Sequence, residues 1–87
     1  MKHFCPVCGY ELDFAPWDDN SPADEICPSC GIQFGYDDDV AGGDPEARKD
    51  VYDKWRESWI KQGMRWFSSG RPQPPDWNPE EQLRHLK

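Results

Sequence analysis

Cys5-Pro6-Val7-Cys8-Gly9 and Cys27-Pro28-Ser29-Cys30-Gly31 are two copies of one motif, C-P-x-C-G, and we call them knuckle 1 and knuckle 2. Two residues separate the cysteines of each copy, so both sulfurs can reach one ion. The proline fixes φ, and the glycine can adopt a positive φ. Eighteen residues separate Cys8 from Cys27, a gap that is typical of zinc sites. The sequence predicts one tetrahedral metal site, with disulfides or free thiols as the alternative. Its ligands are Cys5, Cys8, Cys27 and Cys30.

Four thiolate ligands close the coordination sphere of such an ion. No position is left for water or substrate, so we expect a structural role and no enzymatic activity. A chain of 87 residues buries too little apolar surface for comfortable stability. Metal binding energy on the order of 10 kcal/mol would therefore support folding.

Knuckle 1 with the following Tyr10, and knuckle 2 with the preceding Glu25-Ile26, resemble the cysteine-rich CPCC-type family of small bacterial proteins. The resemblance ends at the acidic run after knuckle 2. It implies a zinc-ribbon or rubredoxin-like metal domain in a bacterial cytoplasm, with no established activity. Val7 departs from the family pattern, because a third adjacent cysteine stands there in that family. Four ligand candidates remain.

The knuckles, including the Gly9-Tyr10 step, also resemble those of rubredoxin. This resemblance implies an alternative function, in which the same four cysteines hold iron for one-electron transfer. The gap between the knuckles is shorter than rubredoxins use, and the chain continues far beyond the last ligand. Zinc is therefore the preferred ion, although sulfur ligands alone do not separate zinc from iron.

The charge of the chain is −7 and is unevenly distributed. Residues 1–44 carry ten acidic side chains and one basic one, whereas residues 45–87 carry seven acidic and nine basic ones. Nucleic-acid binding, which needs clustered Lys and Arg, is thus disfavoured. The sequence begins without an apolar leader and has no apolar stretch long enough for a membrane span. We therefore expect a cytoplasmic protein.

The chain is expected to form one small α+β domain stabilised by metal. Zinc-ribbon or rubredoxin-like knuckles precede one long amphipathic helix and a short C-terminal helix. The predicted segments are a metal-binding ribbon (1–36), an acidic connector with glycines (37–44), a helical segment (45–67) and a proline-rich tail with a short helix (68–87).

Alternating and acidic patterns give finer predictions within the first half. The run 10–14 predicts an edge strand with Tyr10, Leu12 and Phe14 on one face, and 32–34 predicts a second strand. Residues 17–24 are expected to form a polar loop. The three aspartates at 37–39 are expected to form a solvated loop, because a calcium loop has alternate carboxylates and a closing Glu.

Capping signals place the helices. Asp44-Pro45-Glu46 predicts the start of a helix that runs to about Gln62 and stops near Gly63, and Asn78-Pro79 predicts a short second helix with Leu83 and Leu86 facing inward. The long helix has a charged outer face. Its expected apolar stripe consists of Val51, Tyr52, Trp55, Trp59 and Ile60.

Histidines and aromatic residues are the remaining candidates. His3 precedes a ligand but is expected to lie outside the metal site, and His85 is expected to be a helix-end residue without a site role. Trp55 and Trp59 are expected to cover the ribbon beneath the tail. The alternative is functional: Trp66 and Phe67, with Arg65 and Arg71, form an exposed patch for an unknown protein partner.

Overall fold

The computed structural model describes residues 2–19 and 21–86. Within these ranges the chain begins with two short antiparallel hairpins. Strand β1 (His3–Phe4) pairs with β2 (Glu11–Leu12), and β3 (Trp17–Asp18) pairs with β4 (Ser21–Pro22). Together with the helices that follow, they give the predicted α+β class.

The first predicted strand is shorter than expected. Only Glu11–Leu12 of the run 10–14 pairs as a strand, because Tyr10 belongs to the turn of knuckle 1: the Cys5 amide donates to the Tyr10 carbonyl at 2.9 Å. Leu12 is nevertheless buried, and Tyr10 and Phe14 pack against the core as expected. The alternation thus predicted which side chains face inward better than it predicted strand length.

The second predicted strand is reduced to a bridge between Ile26 and Gln33. Two hydrogen bonds flank this bridge: Cys27 donates to the Ile32 carbonyl at 2.9 Å, and Phe34 donates to the Glu25 carbonyl at 3.1 Å. The segments before and after knuckle 2 therefore pair in an antiparallel manner, but the pairing is too short to form regular strands.

The polar loop expected at 17–24 is wrong, since β3 and β4 form a hairpin there. Trp17 anchors it. Its indole Nε1 donates to Asp38 at 2.8 Å, and the Arg48 guanidinium lies 3.9 Å from the ring centroid. Through this hydrogen bond and this cation–π contact, the half-buried Trp17 holds the hairpin against the rest of the chain.

Helix α1 (Pro45–Lys61) has the predicted cap. The Asp44 carboxylate accepts a hydrogen bond from the Glu46 amide at 3.1 Å, and Pro45 occupies the first turn. Of the predicted stripe, Trp59 is buried, while Ile60 is 44% exposed. No helix in the described part of the chain is long and apolar enough to cross a bilayer.

Helix α1 ends at Lys61, which confirms the predicted stop near Gly63, but residues 64–67 of the expected helical segment are not helical. Gly63 and Met64 both have a positive φ, which terminates the helix. The chain then runs along knuckle 2, where the Phe67 amide donates to the carbonyls of Pro28 and Ser29 at 3.1 Å each. These knuckle contacts replace the helical bonds.

The C-terminal helix also begins where its cap predicts. Helix α2 (Pro79–Gln82) follows Asn78, whose side chain accepts from the Glu81 amide at 3.1 Å. A 3-10 turn at Leu83–Leu86 continues it. Leu83 packs against the core, so this part of the inward-facing prediction is confirmed.

The core is small and centred on the knuckles. Sulfur, aliphatic and aromatic side chains from both knuckles, from β2, from the segment that follows knuckle 2 and from α1 share it. The buried members are Cys5, Val7, Cys8, Leu12, Cys27, Cys30, Ile32, Phe34 and Trp59.

The solvated loop expected at 37–39 is wrong for Asp38, which is fully buried. Its carboxylate accepts from Trp17 Nε1, from the Gly35 amide at 2.6 Å and from the Tyr52 hydroxyl at 2.6 Å. Asp37 also accepts from the Gln33 amide at 2.8 Å. Asp38 therefore joins the second hairpin to α1, and both of its carboxylate oxygens accept hydrogen bonds from protein groups.

Candidate metal centre

The four cysteine sulfurs of the two knuckles meet at one point in the core. All four Sγ atoms lie within 4.8 Å of one another. Cys5 Sγ is 3.8 Å from Cys30 Sγ, and Cys8 Sγ is 3.7 Å from Cys27 Sγ. Each close pair joins one knuckle to the other, so an ion among the sulfurs would crosslink both turns.

These distances fit a metal ion and exclude disulfides. A disulfide places its sulfurs about 2.05 Å apart, and all four cysteines are free thiols in the structure. A tetrahedron with metal–sulfur bonds of about 2.3 Å has sulfur–sulfur edges of about 3.8 Å. The two closest pairs have this spacing, so the four cysteines lie close enough together to hold one ion.

The two knuckles have the same internal geometry, as their sequences predict. The Gly9 amide donates to the Cys5 carbonyl and the Gly31 amide donates to the Cys27 carbonyl, each at 2.9 Å. Gly9 has φ +81° and Gly31 has φ +83°. The same turn therefore presents two sulfurs from each side of the site.

Burial and mutual contact shift the pKa values of Cys5, Cys27 and Cys30 in different directions. Burial raises the pKa of Cys5, and the contact with Cys27 raises the pKa of Cys30. Hydrogen bonding from Cys30 lowers the pKa of Cys27 instead. One thiolate can thus be stabilised by neighbouring S–H groups, whereas four thiolates at this distance need a cation between them.

Helix α1 supplies a cation beside knuckle 1. Arg56 Nε donates to the Val7 carbonyl at 2.6 Å, and Arg56 Nη2 donates to the Pro6 carbonyl at 2.9 Å. Its Nη1 is 3.1 Å from Asp53 Oδ1. On the other knuckle, Trp55 Nε1 donates to the Cys30 carbonyl at 3.0 Å. The helix therefore fixes the backbone of both turns.

The C-terminal turn contacts both knuckles as well. Gln82 is buried and its Nε2 donates to the Cys8 carbonyl and to Ser29 Oγ, each at 3.0 Å. Its Oε1 accepts from Trp77 Nε1 at 2.7 Å. His85 Nδ1 lies 2.9 Å from the Gly9 carbonyl. Outer contacts of this kind orient metal ligands and their turns.

The histidines stand apart from the sulfur cluster, as expected. Among the described residues, the group that can hold an ion consists of cysteines alone. His3 is half-buried in β1. His85 has more contact than predicted, because its ring packs against Phe4 at a centroid distance of 4.6 Å.

The two members of the predicted aromatic patch differ. Trp66 is half-buried and packs edge-on against Tyr10 and Trp77, with centroids 5.4 and 5.3 Å away. Its Nε1 donates to the Arg71 carbonyl at 2.9 Å. Phe67 is 58% exposed. Trp66 is thus part of the packing between ribbon and tail, and Phe67 is the exposed aromatic.

Sequence analysis missed two polar residues beside the site, Arg56 and Gln82, and one buried farther away, Asp38. Arg56 carries a weak signal, since it lies four residues after Tyr52 and three before Trp59, on the inward side of α1. Asp38 and Gln82 carry none. Their partners lie far away in the sequence, and neither local spacing nor composition distinguishes them from their exposed neighbours.

Comparison with known proteins gives no relative. No family model, no curated protein and no solved structure matches the chain significantly.

Proposed function

We propose that this chain is a small zinc-binding module in which Cys5, Cys8, Cys27 and Cys30 hold one structural Zn²⁺, and that its surface acts by contact with another protein. The observation that carries the proposal is the sulfur quartet, with its close pairs at 3.7 and 3.8 Å. Those spacings match a tetrahedral tetrathiolate.

A structural role is supported by the enclosure of the site. Cys5, Cys8 and Cys27 are fully buried, and Cys30 is 6% exposed. Four sulfur ligands in the interior complete a tetrahedral sphere, and catalytic zinc sites instead keep one position for water or substrate. The proposal is thus of a non-enzymatic protein of the CPCC-type or a similar zinc-ribbon class. Reduced cysteines also suit the cytoplasm.

Protein contact is supported by the surface. Phe67 is largely exposed although it adjoins the site, and a large exposed aromatic is typical of binding hot spots. The overall charge of −7 disfavours a nucleic-acid partner.

Iron is the second candidate ion, because the same four sulfurs suit a rubredoxin-like electron carrier. The ion is identified on protein purified from its native host by elemental analysis and visible absorption. We expect one zinc per chain and a colourless protein. One iron per chain, with visible absorption and a reversible one-electron couple, would contradict the zinc proposal and favour the electron carrier. Protein without bound metal would contradict both.

A further inference from the structure

One face of α1 borders an apolar groove next to knuckle 2. The groove has a volume of about 500 Å³, and its apolar walls are Val51, Trp55, Trp59 and Phe67. The helix contributes residues at positions 51, 54, 55, 58, 59 and 62, which is the repeat of one helical face. Trp59 is buried at the base of the groove, Trp55 is half-buried beside it, and Phe67 is 58% exposed at its edge, so a partner would contact mainly Phe67 and the outer part of Trp55.

The walls of the groove are held in place. Trp55 Nε1 donates to the Cys30 carbonyl and Trp59 Nε1 donates to the Arg65 carbonyl, each at 3.0 Å. The Phe67 amide is bonded to knuckle 2. A partner would therefore meet rings that are already ordered, which lowers the entropic cost of binding.

Two smaller depressions adjoin the groove and share lining residues with it. One of about 410 Å³ shares Phe67 with it and carries Asp24, Glu25 and Arg71. The other, of about 330 Å³, shares Lys54 and Ser58 with it. The second depression also carries Glu57 and Lys61. Through the shared residues, the three depressions form one track. The end beside Phe67 has two carboxylates and one guanidinium and is net acidic. The end at Lys54 and Lys61 has two ammonium groups and one carboxylate and is net basic.

Lys54, which lines both the groove and the basic end, is available to pair with a partner. Lys54 takes part in none of the ion pairs found in residues 2–19 and 21–86, which join Lys2 to Glu11 and Asp53 to both Lys49 and Arg56. Glu57 faces the same depression without pairing with it within these ranges. A partner carboxylate can therefore meet Lys54 without displacing an existing ion pair.

We propose that this track, from Asp24 and Glu25 past Phe67 to Lys54 and Lys61, binds an extended peptide segment of a partner protein. The segment has a basic residue at one end, a bulky apolar residue in the middle and an acidic residue at the other end. This inference rests on the protein-contact part of the proposed function. Charge complementarity decides the order of the charged residues in the segment, and the apolar groove binds its bulky apolar residue. A nucleic acid does not fit, because the end at Asp24 and Glu25 repels phosphate.

A random dodecapeptide library, selected on the metal-loaded full chain, tests the track. We expect the enriched peptides to share the basic, apolar, acidic order and to shift the indole N–H signals of Trp55 and Trp59 in NMR spectra. The double variant Lys54→Glu/Lys61→Glu should weaken binding of a selected peptide at least ~10-fold. The control variant Lys2→Glu/Arg84→Glu changes the same charge at exposed positions outside the track and should alter affinity by less than ~2-fold.

Other outcomes overturn the track. Enriched peptides without this charge order, signals that shift elsewhere, or no enrichment at all would each contradict it. Peptides that bind another face would contradict this binding site but would still agree with the proposal that the protein acts by contact with another protein. The metal content of the chain used for the selection is measured in parallel, so a failure of the zinc proposal is detected separately from a failure of the peptide site.

Discussion

Gln82 and Cys8 lie 74 residues apart in sequence, and the Gln82 side chain donates a hydrogen bond to the Cys8 carbonyl at 3.0 Å. The same Nε2 reaches Ser29 of knuckle 2. The C-terminal turn thereby bonds to both knuckles at once. Its docking needs them at the spacing that a shared ion would set.

Gln82→Ala tests this contact. Loss of the side chain leaves the buried Cys8 carbonyl and Ser29 hydroxyl without that donor, so we expect the free energy of unfolding to fall by about 1–3 kcal/mol. Urea denaturation of the zinc-loaded protein measures the change. Gln73→Ala is the matched control, since Gln73 is exposed, and it should have little effect. Equal effects of both variants would contradict the role of Gln82.

Asp38→Ala tests the buried carboxylate that joins the second hairpin to α1. Its loss leaves the Trp17 indole, the Gly35 amide and the Tyr52 hydroxyl without their acceptor. We expect a loss of about 3 kcal/mol or more by the same denaturation measurement. The neighbouring Asp39 is exposed, and Asp39→Ala should stay within about 0.5 kcal/mol of wild type. A mild effect at Asp38 would show that the carboxylate is dispensable.

The hydrogen bond from Tyr52 to Asp38 also predicts a pH dependence. Burial raises the pKa of Tyr52, and the hydrogen bond to Asp38 raises it further. Above pH ~10 the unfolded chain therefore loses its phenolic proton before the folded chain does, and stability falls as pH rises. This contribution is fully present below pH ~10.

Tyr52→Phe should remove this part of the alkaline loss. Tyr36→Phe serves as control, because Tyr36 is 76% exposed. Free energies of unfolding measured on both sides of pH ~10 give the slopes. If Tyr52→Phe keeps the wild-type slope, the phenol does not titrate differently in the folded state.

Gly31 is required for two reasons, its positive φ and its contact with Phe67. A Cβ at this position would clash with the Phe67 ring. We expect Gly31→Ala to destabilise the fold by about 1–3 kcal/mol in thermal denaturation. A methyl group at Gly70 meets nothing within 4 Å, so Gly70→Ala is the matched control. A neutral Gly31→Ala variant would rule out the close packing described here.

The cysteine knuckles and the helix starts were predictable from sequence because each depends on local chemistry. The C-P-x-C-G turn needs its own five residues, and the cap of α1 needs only Asp44 and Pro45. Both appear in the structure at the predicted places. The stop of the first helix near Gly63 was also predicted, whereas helical structure at 64–67 was wrong, because backbone contacts of Phe67 with knuckle 2 replace helical hydrogen bonds there.

The contacts between distant polar residues could not be predicted. Asp38 has the same sequence surroundings as the exposed Asp39, yet only its carboxylate meets Trp17 and Tyr52. Gln82 is similar, since its role depends on where two knuckles meet in space. Such pairs are set by tertiary packing, and a single sequence does not encode them in any local pattern.

Zinc titration of the metal-free chain, followed by ¹H–¹⁵N NMR, tests most directly whether the four cysteines hold the fold together. We predict a poorly dispersed spectrum for residues of both knuckles without metal, and full dispersion that saturates at one equivalent of Zn²⁺. A metal-free chain whose knuckle signals are already dispersed, and do not change on addition of Zn²⁺, would contradict the account.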